Sequence, residues 1–88
     1  SDYLTAIENI HMLESLASRG VGMDISSTLR ASILEFNTRD GRMRWDITST
    51  VAGYVVTCDG EFFVCTHSPF EALRRIVEKR HEEWKVQP

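Results

Sequence analysis

The chain has 88 residues, 42% of them hydrophobic and 26% charged, which is the composition of one small globular domain and excludes a disordered or fibrous chain. Ten Lys and Arg against 13 Asp and Glu give a formal net charge of −3, which argues against a general nucleic-acid binder. No apolar run approaches the ~20 residues that span a bilayer, and no basic stretch leads into an apolar one at the start, so neither a membrane partner nor a signal peptide is expected and a cytoplasmic setting is.

The first segment reads as a helix over residues 3–19. Tyr3, Ala6, Ile7, Ile10, Leu13 and Ala17 recur at three- and four-residue steps and so share one face. Ser1 or Asp2 can cap its start, and Gly20 and Gly22 accept the left-handed geometry that ends a helix. Leu4 and Met12 fall outside the main stripe.

Residues 24–37 carry two patterns. Ile25, Leu29, Ile33 and Phe36 fit a helix capped by Asp24, whereas Leu29, Ala31 and Ile33 alternate with Arg30, Ser32 and Leu34 as in a strand. The abundance of Ser, Thr and Ile favours a strand from about Thr28. A polar turn over residues 37–41 would then lead into a second strand, with Met43, Trp45 and Ile47 facing one way and Arg44, Asp46 and Thr48 the other.

Asp59-Gly60 joins two β-rich runs, Tyr54-Val55-Val56-Thr57-Cys58 and Glu61-Phe62-Phe63-Val64-Cys65, and supplies the positive φ angles of a two-residue hairpin turn. An uninterrupted register pairs Cys58 with Glu61, Val56 with Phe63 and Tyr54 with Cys65. One face then carries Tyr54, Val56 and Phe63, and the other Val55, Phe62 and Val64. The last helix has an explicit start in Ser68-Pro69-Phe70-Glu71, a cap, a first-turn proline and a capping-box glutamate. Its stripe is Phe70, Leu73, Ile76, Val77 and Trp84, with Arg80 inside it and expected to snorkel or to meet a carboxylate. The expected architecture is one α+β domain over residues 1–88: an antiparallel sheet of three to four strands in two hairpins, with the N- and C-terminal helices packed on one face.

Chemical motifs are sparse. Cys58 and Cys65 lie about four residues out of register, roughly 14 Å along the strands, too far for a disulfide. Cys65 and His67 can share a face, but a zinc site would need His81 and Glu61 as well, and no Cys-x-x-Cys spacing exists. No phosphate loop, nucleophile elbow or His-Glu-x-x-His is present. No cofactor, metal or catalytic residue is therefore expected, and the chain is not expected to be an enzyme.

The order of elements resembles the double-stranded RNA-binding domain in topology, but that family opens its last helix with a lysine cluster where this helix opens Ser68-Pro69-Phe70-Glu71. The final hairpin running into Glu71-Ala72-Leu73 is similar to the sheet of HicB-type antitoxins. Neither likeness extends to a family assignment.

An apolar second sheet face left in water points to a non-catalytic interaction or regulatory module, a homodimer or one docked on a protein partner. Val55, Phe62 and Val64 would anchor that face, with Arg44 and Thr48 at its edge. A helix over residues 24–36 would instead be placed to cover it. Alternatives are a nucleic-acid contact through the turn at Arg39, Arg42 and Arg44 and the last-helix Arg74 and Arg75, and a small inhibitor of the phage or mobile-element type. Because residue 1 is Ser, an accessory domain of a larger enzyme is a further alternative.

Overall fold

The structure, a computed structural model, describes residues 2–20, 25–41 and 43–86. Ser1 and Asp24 as caps, Gly22, Arg42, and the side chains of Asp2, Ile25, Trp84 and Lys85 lie outside the described residues.

In chain order the elements are α1 (Asp2–Ser18), α2 (Ile25–Asp40), β1 (Trp45–Thr50), β2 (Gly53–Cys58), β3 (Glu61–Thr66) and α3 (Pro69–Val86). The strands form one antiparallel sheet in the order β1-β2-β3, giving the expected α+β class with three strands. α3 packs against all three strands, α2 packs against β1, and α1 packs along α3.

The strand expected from Thr28 is instead α2. Helical spacing places Leu29, Ile33 and Phe36 on one side, where Phe36 is buried and the other two pack on the core. Ile33 takes its place on the core side of this helix, and further along the Thr38 hydroxyl is accommodated on the helix surface by donating to the Leu34 carbonyl at 2.8 Å. The polar residues read as a turn are the last turn of this helix. Gly41, at φ 61°, ends it, and its N–H donates to the Asn37 carbonyl at 3.3 Å.

The first hairpin is therefore β1–β2, through Val51 and Ala52. The Thr50 hydroxyl ties this turn by accepting from the Ala52 N–H and donating to the Gly53 carbonyl. The second turn follows the sequence signal, with Asp59 at φ 54° and Gly60 at φ 81°.

Beyond that turn the register departs from an uninterrupted ladder. Cys58 pairs with Glu61 and Thr57 with Phe62, but a bulge then leaves Phe63 unpaired, so Val56 faces Val64, Val55 faces Cys65 and Tyr54 faces Thr66. The bulge lets two successive apolar side chains reach the helix-covered side. Phe63 meets Trp45 edge-on at 5.5 Å between ring centroids, and Val64 packs against the same core.

The core is built where α3 meets the sheet: Trp45, Val56, Leu73 and Ile76 are almost wholly buried. Burial of each such side chain stabilises the fold by about 1.5–3 kcal/mol. Ser68 starts α3 as expected, its Oγ accepting from the Phe70 N–H at 3.1 Å. Arg80 is buried in the α3 stripe with its guanidinium 4.6 Å from the centre of the Phe36 ring, a cation–π contact that links α3 to α2.

Candidate functional site

The two faces of the sheet differ sharply. On the inner face, Trp45, Ile47, Val56 and Val64 meet α2 and α3. On the outer face, pairing lays the side chains in two rows across the strands: Thr48, Val55 and Cys65, then Asp46, Thr57 and Phe62. Phe62 is 69% exposed, Thr48, Asp46 and Cys65 are exposed, and Val55 is half-buried. Among the described residues no element packs on this face. α2 joins the inner face instead, with Leu29, Ile33 and Phe36 in contact with the core there.

Of the three expected anchors, Val55 and Phe62 come together here, with Thr48 from the expected edge beside Val55. Arg44 stands at the end of the face, held by its backbone: its N–H donates to Asp59 Oδ1 at 2.9 Å and its carbonyl accepts from the Asp59 N–H at 2.8 Å. Val64 does not belong to the face. The bulge turns it inward opposite Val56, and Cys65 takes the outward position. The sequence signal for this was the unbroken apolar run Phe62-Phe63-Val64 inside an otherwise alternating strand, which a regular pleat cannot place on one side.

The arginines proposed for nucleic acid are divided among different structural roles. Arg74 joins α3 to α1 through both guanidinium nitrogens, 2.9 and 3.4 Å from the two carboxylate oxygens of Glu14. These bonds hold the Glu14 carboxyl below its usual value, with burial acting the other way. Arg75 approaches the Phe63 ring at 6.0 Å, and Arg39 pairs with Glu35 at 3.5 Å on an exposed helix surface. Arg44 is exposed, and Arg42 is outside the described residues.

Cys65 and Cys58 are not joined in a disulfide and lie on opposite faces, since Cys65 pairs with Val55 and Cys58 with Glu61. His81 stacks on Tyr3 at 4.2 Å and so belongs to the α1–α3 seam, away from Cys65 and His67 at the end of β3. Among the described residues no group of three His, Cys, Asp or Glu could hold a metal ion. No described helix is long and apolar enough to cross a membrane.

No protein family matches the chain, and neither a curated protein nor a solved structure matches it. The face itself therefore carries the functional argument. It is small and rich in β-branched residues, with the exposed Phe62 side chain standing out of it.

Proposed function

We propose that the chain is a non-catalytic protein-interaction module that associates with a second copy of itself through the outer face of the sheet. The observation that carries this reading is Phe62, 69% exposed beside Val55 on a face that no described element covers. Leaving a Phe in water forgoes about 1.5–3 kcal/mol of burial, which a docked partner restores.

The charges of the face suit a two-fold arrangement. Arg44, Asp46 and Asp59 lie toward the β2–β3 turn, while Thr48, Thr50 and Val51 lie toward the other end. With two copies stacked and their strands antiparallel, the charged end of each lies over the uncharged end of the other. Like charges then avoid each other.

Size sets the strength. Three strands ~4.8 Å apart and six residues long offer roughly 200–300 Å² in plan, below the roughly 800 Å² per partner of a standard stable complex. Association through this face is therefore weak and sensitive to dilution. The test is an NMR dilution series. Concentration-dependent shifts of the Val55, Phe62 and Cys65 amides support the reading, and shifts confined to α1 or α2 would place self-association elsewhere.

A further inference from the structure

A second feature lies on the opposite side of β1, where a groove of about 520 Å³ runs between this edge strand and α2. That volume is in the range of roughly 300–1,000 Å³ typical of binding clefts. Leu29 and Ile33 of α2 and Ile47 of β1 give it an apolar wall. Arg30 and Arg44 line it as well, against the single carboxylate of Asp46, so the groove is locally positive in a chain of net charge −3. Neither guanidinium has an ion-pair partner among the described residues, and the Asp46 carboxylate accepts from the Ile47 N–H at 3.0 Å. Trp45 also lines the groove, and its indole Nε1 is a buried donor without an acceptor among the described residues.

The backbone of β1 adds a directional element. In an antiparallel pair, alternate residues direct both of their hydrogen-bonding groups to the same side. The N–H and C=O of Trp45 point away from β2, because both are bonded to the Asn37 side chain. By the same alternation Ile47 and Ser49 present their groups along the edge that faces the groove. Asn37 occupies the strand edge at Trp45 and the Asp46 carboxylate takes the Ile47 N–H, so among the described residues the Ile47 carbonyl and the backbone of Ser49 are what the edge presents to the groove.

We propose that this groove binds an extended acidic peptide, which pairs with β1 at the Ile47 carbonyl and at Ser49 and sets carboxylates against Arg30 and Arg44. Strand addition beside a helix is an established mode of peptide recognition, with backbone bonds giving affinity and side-chain contacts giving selectivity. Here the selectivity is for negative charge, through charge-assisted bonds to two exposed arginines, and for apolar residues at alternate positions against Leu29 and Ile33. The site shares Arg44 and Asp46 with the margin of the outer face but does not include Phe62 or Val55 and does not depend on self-association.

The experiment is an NMR titration of the full chain with a short blocked peptide of alternating valine and glutamate. Two control peptides replace glutamate by lysine, or place proline at the centre where a strand cannot pair. The expected result is saturable shifts of the Ile47 and Ser49 amides and of the Trp45 indole N–H with the acidic peptide alone. Arg30→Glu combined with Arg44→Glu should weaken binding about tenfold or more, and Phe62→Asp should leave it intact. Both arginines are exposed, so the doubly substituted chain should keep the native spectrum. Equal binding of acidic and basic peptides, undiminished binding of the proline peptide, or shifts that map outside the groove would overturn the proposal. Displacement of the acidic peptide by a single-stranded oligonucleotide at lower concentration would also overturn it and assign the arginines to phosphate.

Discussion

Asn37 stands to Trp45 as a neighbouring strand would: its Nδ2 donates to the Trp45 carbonyl at 3.0 Å and its Oδ1 accepts from the Trp45 N–H at 2.7 Å. One side chain at the end of α2 thereby satisfies two backbone groups on the edge of the sheet and fixes where the helix meets β1. Exposed strand edges invite unwanted pairing, and this clamp closes the edge at its start.

Asn37→Ala should therefore destabilise the fold by about 1–3 kcal/mol, since two partly buried backbone groups lose their partners. Asn37→Asp keeps the acceptor but sets a carboxylate oxygen against the Trp45 carbonyl where the donor stood, so its cost should be at least as large. Urea unfolding of the three chains checks the order.

The bulge makes adjacent β3 residues respond in opposite ways. Phe62→Asp, on the exposed outer face, should leave stability within about 1 kcal/mol of the parent, whereas Val64→Asp should lose about 2–4 kcal/mol because it sets a charge against the core. Thermal melts followed by circular dichroism distinguish them. The uninterrupted register would have the two substitutions behave alike.

Gly53 begins β2 at φ 136°, and a Cβ there would lie 2.5 Å from the Thr66 carbonyl oxygen and 3.3 Å from Cys65 Sγ. Backbone strain and backbone contact act together, so Gly53→Ala should cost about 1–3 kcal/mol or more. Denaturant unfolding measures it. Loss of the Tyr54–Thr66 pairing in hydrogen exchange would locate the damage.

The Glu14–Arg74 pair gives a pH signature. Because Arg74 holds the Glu14 carboxyl below its ordinary value of 4.5, the unfolded chain takes up this proton first as pH falls. The pair's stabilisation is complete above the ordinary glutamate range and drains away as pH drops through the lowered value. With the two side chains about a third exposed, its size is at most about 1 kcal/mol. Glu14→Gln should flatten this part of the stability curve below pH ~4.5, measured by urea unfolding at a series of pH values.

What could be read in advance was what short segments decide for themselves. Asp59-Gly60 and Ser68-Pro69-Phe70-Glu71 determine their turn and helix start through local backbone geometry, and both are found where the sequence places them. The α1 stripe around Ile10 and the exposure of Leu4 and Met12 also follow from periodicity alone. α2 is ambiguous in the sequence because Leu29 and Ile33 satisfy both periods over a short window, and packing against the inner face selects the helix. The bulge was missed because inserting Phe63 beside Trp45 is a tertiary gain with no turn residue to mark it. Of the candidate site, Val55, Phe62 and Thr48 were legible from alternation, and Val64 was misplaced by that one-residue shift.

The most direct test of self-association through the outer face is solution mass by light scattering, across a dilution series at low and high salt, for the parent chain and Phe62→Asp. The account expects the parent's mass to rise from 10.1 kDa toward twice that value with concentration, little affected by salt, and the variant to remain at 10.1 kDa while folded. A parent chain that stays monomeric to millimolar concentration, or a variant that associates equally well, would contradict it.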